Sequence, residues 1–274
     1  MARLKITKSS PLATIQDEGR FGYRQFGIPQ SGAMDSMGMK AANQLVGNNP
    51  GDPLIEYALT GLTLEILEDA IVGLYGADLQ VNGEEVSSNS SMVKMGDVIR
   101  LSPPNNVYAY FSIGGRQQAQ SVFESFSTYL PGGFGGLQGR SLKSGDELIT
   151  NGDGQLQRAE IPAHKDSLIR FMPGPEWDFL VEPFEQKNFQ IDPSSNRIGI
   201  RLQGAQLESS RTEIKSSAVI PGTIQLPPNG HPIILMNDCQ TTGGYARIGK
   251  VLDEDLGRLA QIRPGEKVML KLGH

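Results

Sequence analysis

Two stretches of this 274-residue chain concentrate side chains that can do acid–base or binding chemistry. The later one, Asn237-Asp238-Cys239-Gln240-Thr241-Thr242-Gly243-Gly244-Tyr245, directly follows the apolar run Pro232–Met236. Polar side chains at the end of a buried strand, ahead of a Gly-Gly turn, suit a substrate-binding loop. Asp238 can accept a proton, and Gln240, Thr241 and Thr242 can bind an amide or carboxylate. The structural alternative is a hydroxyl-rich turn that satisfies its own backbone. The earlier stretch runs from Gln16-Asp17-Glu18-Gly19-Arg20-Phe21-Gly22 through Gly27-Ile28-Pro29-Gln30-Ser31-Gly32-Ala33-Met34-Asp35. It sets two acids, an arginine and four glycines ahead of a helix whose first amides attract anions. A phosphate or carboxylate can sit against Ser31, Gly32 and the amides after Asp35, with Asp35 a second acid–base candidate. Here the alternative is an ordered loop in which Asp35 only caps the helix.

Other segments promise less. Gly132-Gly133-Phe134-Gly135-Gly136-Leu137-Gln138-Gly139-Arg140 suggests a phosphate cradle, but its spacing misses G-x-G-x-x-G at Gln138, and no P-loop occurs anywhere. It reads as a flexible connector. Ser91-Met92-Val93-Lys94-Met95 faintly resembles a biotin-attachment loop, yet it sits in a recurrent turn. Cys239 is the only cysteine, so an intrachain disulfide and a CxxC zinc site are excluded, and a lone strand-end cysteine reads as a small buried apolar residue. His164, His231 and His274 show no metal-ligand spacing, and no G-x-S-x-G elbow is present.

The elements that must position these residues are mostly short strands. Lys94-Met95-Gly96-Asp97, Lys143-Ser144-Gly145-Asp146 and Arg263-Pro264-Gly265-Glu266 are Gly-acid turns, each feeding a short apolar run. Further strands are expected at Leu62–Leu67, Ala70–Tyr75, Val107–Ile113, Ser167–Met172, Arg197–Leu202 and Pro232–Met236. Helices are few: Asp35 to Val46, with Met37, Ala41 and Leu45 on one face and Gly47 ending it; a stretch after Pro175 carrying Trp177, Leu180, Val181 and Phe184; and Glu254 to Gln261. The pattern is mainly β. A polar stretch from Asn151 to Lys165 divides it, giving β-rich units at 1–160 and 161–274. A net charge of −5 argues against nucleic-acid or anionic-membrane surfaces. With no long apolar run and no signal-peptide core, the expected location is the cytoplasm.

Taken together, G-R-F-G-Y-R-Q-F-G-I-P-Q-S-G-A-M-D and G-T-I-Q-L-P-P-N-G-H-P-I-I-L-M-N-D-C-Q-T-T-G-G-Y resemble the family of allophanate hydrolase subunit 2. That family also contains KipA, a 5-oxoprolinase subunit and the carboxyltransferase region of urea carboxylase. Supporting matches are Leu168–Pro175, Ser195–Gly204 and Asp255–Gly265, so the resemblance spans essentially the whole chain. It implies two β-barrel-like units, one a cyclophilin-like barrel, and a subunit of ATP-dependent 5-oxoprolinase that opens a lactam to glutamate. The implied partners are a small KipI-like (allophanate hydrolase subunit 1-like) protein and a LamB/YcsF-type subunit. ATP is used by the complex, and no biotin is attached to this chain. On this reading Arg20 holds a carboxylate or phosphate, and Asp35 meets Asp238 between the units. Two other roles are implied: a KipA-like antagonist of a KipI-type kinase inhibitor, and an allophanate hydrolase or urea carboxylase-related subunit served by a separate biotin carrier. Glu124-Ser125-Phe126-Ser127-Thr128 departs from the G-S-R-S-T common in the family. Arg116 and Arg140 are the candidates to replace the missing arginine at Phe126.

Overall fold

The three Gly-acid turns close by one device, in which the acid accepts a hydrogen bond from the amide three residues earlier. Asp97 accepts from Lys94 N at 2.7 Å, Asp146 from Lys143 N at 2.8 Å, and Glu266 from Arg263 N at 3.0 Å. Each turn delivers the next run of chain into a sheet. The computed structural model describes residues 1–159, 166–211 and 213–273. The boundary expected at 160/161, like His164 and His274, lies outside these residues. The chain divides into two units, Met1–Arg20 with Ser31–Ala163, and Phe21–Gln30 with His164–His274.

The first unit contains β1 (Ala2–Lys8), β2 (Thr14–Gln16), β3 (Leu54–Ala58), β4 (Leu62–Ile66), β5 (Ala70–Tyr75) and β6 (Leu79–Val81). It continues with β7 (Glu84–Glu85), β8 (Ser90–Val93), β9 (Val98–Leu101), β10 (Tyr108–Ile113), β11 (Arg116–Gln117) and β12 (Glu147–Asn151). One sheet has the order β11-β12-β1-β4-β9-β6-β7, the other β2-β3-β10-β5-β8. Alternation on β1 and β4 sends Leu4, Ile6, Leu62, Leu64 and Ile66 into a core shared with Ile55, Leu74 and Phe111 of the second sheet. Strand β10 is buried throughout, because the helix α1 (Ser36–Leu45) covers the face turned away from that core. Gly73 permits the approach: a Cβ there would stand 2.9 Å from side-chain atoms of Leu45 and Val46. The helix buries Met39, Ala41, Ala42 and Leu45, whereas Met37 is exposed, so the buried face is rotated from the expected one. Gly47 follows the helix at φ 74°, a left-handed value suited to its end.

The second unit contains β13 (Leu168–Pro173), β14 (Gln186–Ile191), β15 (Gly199–Gly204), β16 (Glu213–Ala218), β17 (Thr223–Leu226), β18 (Ile233–Leu235), β19 (Thr242–Val251) and β20 (Lys267–Leu272). Their order is β13-β20-β14-β15-β18-β17-β19-β16, and β13 also pairs with β19. That last pairing, Phe171 opposite Val251, closes seven strands into a barrel and leaves β16 attached outside the ring on β19. Ile169, Phe171, Leu202, Ile224, Ile248 and Leu270 are among its buried residues. The helix α2 (Asp253–Ala260) carries three acids in its first turn, which suits its macrodipole. The helix expected after Pro175 is only a 3-10 turn, Trp177–Phe179. Pro183 disfavours helical backbone before it, and Trp177 and Phe184 instead join an aromatic cluster on Phe171.

Candidate functional site

Strand β18 ends at Leu235, and the polar residues that follow form a turn, Asn237–Thr241, before the chain enters β19. Gly243 and Gly244 are therefore strand residues of β19, not the expected turn. Asp238 is 5% exposed and faces Arg197 with both carboxylate oxygens, Nε–Oδ2 at 2.8 Å and Nη2–Oδ1 at 3.2 Å. Its amide donates to Arg197 O at 2.9 Å, so side chain and backbone fix the same pairing. A bidentate guanidinium sets a carboxylate's plane as well as its position. Cys239 is fully buried, and burial pushes its thiol above the ordinary value, which fits a packing residue rather than a nucleophile.

The second support of this turn is Arg24, from the short helical turn Arg24–Phe26. Its Nη2 donates to Val219 O at 2.5 Å and to Gln240 O at 2.9 Å, and lies 3.8 Å from Cys239 Sγ. One guanidinium thus ties the turn to the end of β16. Val219 N also donates to Thr241 O at 3.0 Å. With the backbone held from two sides, the side chains of Gln240 and Thr242 are exposed and Thr241 is half-buried. The end of the turn and the first residue of β19 can present the amide of Gln240 and the hydroxyls of Thr241 and Thr242 to a small polar ligand, beside the Asp238–Arg197 pair. Gln225 on β17 is buried beside Gly243 of β19.

The first unit treats the earlier stretch differently. Asp17 is the centre of a buried cluster: Oδ1 accepts from Gly19 N at 2.8 Å, Ser125 Oγ at 2.6 Å and Ser127 Oγ at 2.5 Å, and Oδ2 from Phe126 N at 2.6 Å. Arg20, expected to hold a ligand anion, is 1% exposed. It donates to Val122 O at 3.1 Å and to Ser127 O, and its guanidinium stands 4.8 Å from the centre of the Phe134 ring. These two donors serve carbonyls of the 122–127 segment. The Gly132–Arg140 segment also differs from a flexible connector, since a Cβ on Gly135 would stand 2.6 Å from Arg20 Nη2. Ser31 and Gly32 are buried, and Gly32, at φ 93°, lies against the backbone of Glu18 and Gly19. Asp35 is buried and accepts from Met37 N at 3.1 Å and Gly38 N at 3.0 Å, the geometry of an N-cap. Its amide donates to Tyr110 Oη at 2.7 Å, and that phenol donates to Glu56 Oε2 at 2.9 Å.

Asp238, Gln240 and Thr241 in the turn and Thr242 at the start of β19 thus lie together in the second unit, while Arg20, Ser31, Gly32 and Asp35 belong to the first. Arg24, Arg197 and Gln225 are the residues that the motif reading passed over. Of the two replacements considered for the missing arginine, Arg116 stacks its guanidinium 4.9 Å from the centre of the Phe126 ring. Arg140 is instead held by Asp146 through two hydrogen bonds, at 2.7 and 2.8 Å. Among the described residues, no group of three or more His, Cys, Asp or Glu is placed to hold a metal ion, and no helix is long and apolar enough to cross a membrane.

Comparison with known proteins matches residues 26–272 to the family model of the carboxyltransferase domain, subdomain A and B. A 5-oxoprolinase subunit of Escherichia coli (strain K12) is 37% identical over 278 residues, covering 97% of this chain and 89% of that protein. The urea amidolyase of Saccharomyces cerevisiae is 27% identical over 97% of this chain, which spans 16% of that protein. Among solved structures, the Kluyveromyces lactis urea carboxylase superposes with a TM-score of 0.88 at 25% identity, over 98% of this chain and 27% of that one.

Proposed function

The chain belongs to the carboxyltransferase-domain family of subdomains A and B, and from that premise we propose that it is a subunit of an ATP-dependent 5-oxoprolinase that opens the lactam of 5-oxoproline to glutamate. The observation that supports this most is its 37% identity to the Escherichia coli 5-oxoprolinase subunit over nearly the full length of both chains. A lactam is a poor electrophile because resonance stabilises the amide. Transfer of the γ-phosphoryl group of ATP to the lactam oxygen forms an O–P bond, breaks the bond to ADP and supplies a leaving group. Water then adds at the ring carbon and the C–N bond opens, the nitrogen taking a proton, which leaves an acyl phosphate; a second water displaces phosphate to give the free carboxylate of glutamate.

In this reading Asp238 is the acid–base group, aimed by Arg197, and Gln240, Thr241 and Thr242 orient the lactam. Asp35 is assigned to capping. ATP is assigned to the assembled complex, which acts in the cytoplasm with a small KipI-like protein and a LamB/YcsF-type subunit, and no biotin is attached to this chain. The test is ATP-dependent glutamate release from 5-oxoproline by this chain alone and then with both partners. Turnover in the full mixture alone is expected. A stable complex without turnover or ATP use would overturn the reading in favour of a KipA-like regulatory role. The likeness to urea carboxylase supports one second reading, carboxyl transfer to urea from a separately carried biotin, which a biotinylated carrier and urea would test directly.

A further inference from the structure

Strand β15 sends its side chains alternately into and out of the barrel of the second unit. Leu202 is buried in the core, so Arg201 and Gln203 on either side of it point outward. The strands beside it alternate in step. Ile191 at the end of β14 and Ile234 in β18 are buried, which turns Asp192 and Ile233 outward. Arg201 stands opposite Ile233, and Asp192 N donates to Arg201 O at 2.9 Å, so the three residues are neighbours on one outer face. With Gln203, Asn229 and His231 they line a cavity of about 350 Å³, a size that suits a small molecule. The cavity lies away from the Asn237–Thr241 turn. Arg197, which holds Asp238, precedes Arg201 by four residues, about 13 Å of extended chain.

Opposite charges face this cavity without joining. Asp192 Oδ1 accepts from Ser194 N at 2.7 Å and Ser194 Oγ at 2.5 Å, and Oδ2 accepts from Gln203 Nε2. The bonds from Ser194 hold this carboxyl below its ordinary range, so it is ionised at neutral pH. A carboxylate has about four acceptor positions, which leaves one open on Oδ2. The Arg201 guanidinium makes no hydrogen bond or ion pair among the described residues, so its whole fork of donors is open. An anion brought to Arg201 meets the negative charge of Asp192, and a cation brought to Asp192 meets Arg201. A ligand with both signs a few ångströms apart answers both charges at once. We propose that the cavity binds a free α-amino acid, with its carboxylate on Arg201, its ammonium group on Asp192 and its side chain toward Ile233. The site is separate from the reaction and does not depend on the 5-oxoprolinase reading. Under that reading the product glutamate fits it, whereas the substrate, whose amine is closed into the lactam, does not.

Calorimetric titration of the chain with L-alanine tests this directly. Saturable binding is expected, and N-acetyl-L-alanine and L-alaninamide, each lacking one of the two charges, should bind at least about 10-fold more weakly. Arg201→Met takes no hydrogen bond from the folded chain, so the melting temperature should hold while L-alanine binding falls roughly 10- to 100-fold, the range for a lost bond to a charged group. Asp192→Asn should erase the preference for L-alanine over its N-acetyl form. Heteronuclear NMR places the ligand: the amides of Arg201, Gln203 and His231 should shift during the titration while those of Asp238 to Thr242 stay in place. Absence of binding at millimolar L-alanine would overturn the site. So would binding that Arg201→Met leaves unchanged, equal binding of N-acetyl-L-alanine by the wild-type chain, or shifts confined to the Asp238 turn. Each of these results leaves the 5-oxoprolinase reading standing, since that reading is judged by glutamate release alone.

Discussion

Asp238→Asn is the substitution whose effect the structure constrains most. The carboxylate and the Arg197 guanidinium meet through two contacts, with side chains 5% and 16% exposed. Asparagine can accept from one guanidinium nitrogen but turns an NH2 group toward the other, so donor faces donor and the charge on Arg197 loses its counter-charge. Removing one member of a buried pair costs about 3–5 kcal/mol. Arg197 keeps some access to water, which reduces the expected loss to about 2–3 kcal/mol. In a chain of this size each kcal/mol moves the melting temperature by about 2–4 °C, so a fall of roughly 5–10 °C is expected in thermal unfolding followed by circular dichroism. Turnover by the assembled complex should be abolished. The pairing itself is measured with Arg197→Met and the double variant Asp238→Leu/Arg197→Met. Apolar replacement of both partners should recover most of the lost stability while turnover stays absent. If the single-variant losses add to within about 0.5 kcal/mol, the ion pair is not the source of the effect and the reasoning fails. Normal turnover by Asp238→Asn would remove it from the acid–base candidates.

Asp35→Asn keeps an oxygen for the amides of Met37 and Gly38, so both stability and turnover should be near wild type, while Asp35→Ala should cost about 0.5–2 kcal/mol through the lost cap. An Asp35→Asn complex that is fully stable yet inactive would return Asp35 to the catalytic list. The hydrogen bond from Arg247 holds the Glu176 carboxyl below its ordinary range, with contacts of 2.8 and 2.7 Å. A depressed folded value contributes stability that is complete above the unfolded pKa, about 4.3, and is lost as pH falls through the folded value. The stability difference between wild type and Glu176→Gln should therefore be constant from about pH 5 to 7 and shrink below about pH 4.3. A difference that grows on acidification would contradict the pairing.

What the sequence makes legible here follows from how locally each feature is determined. The Gly-acid turns and the strands after them can be read from a few adjacent residues, because the acid that closes each turn lies within it. Asp35 as a cap is equally local. The long strand Thr242–Val251 was hidden because the residues around its start, Thr-Thr-Gly-Gly, carry turn chemistry. Only its neighbours on β16 and β17 make it a strand, and only Gln225, eighteen positions upstream in sequence, explains why Gly243 lacks a side chain. The two arginines of the motif Gly19–Asp35 show the same limit from the other side. Arg20 and Arg24 stand four residues apart in one stretch of glycines and aromatics, yet Arg20 serves carbonyls at Val122 and Ser127 and Arg24 serves carbonyls at Val219 and Gln240. Nothing in the spacing of the motif distinguishes them, because the difference lies in partners more than 100 residues away. A role for either arginine therefore has to be assigned from its partners in the folded chain, not from its place in the motif.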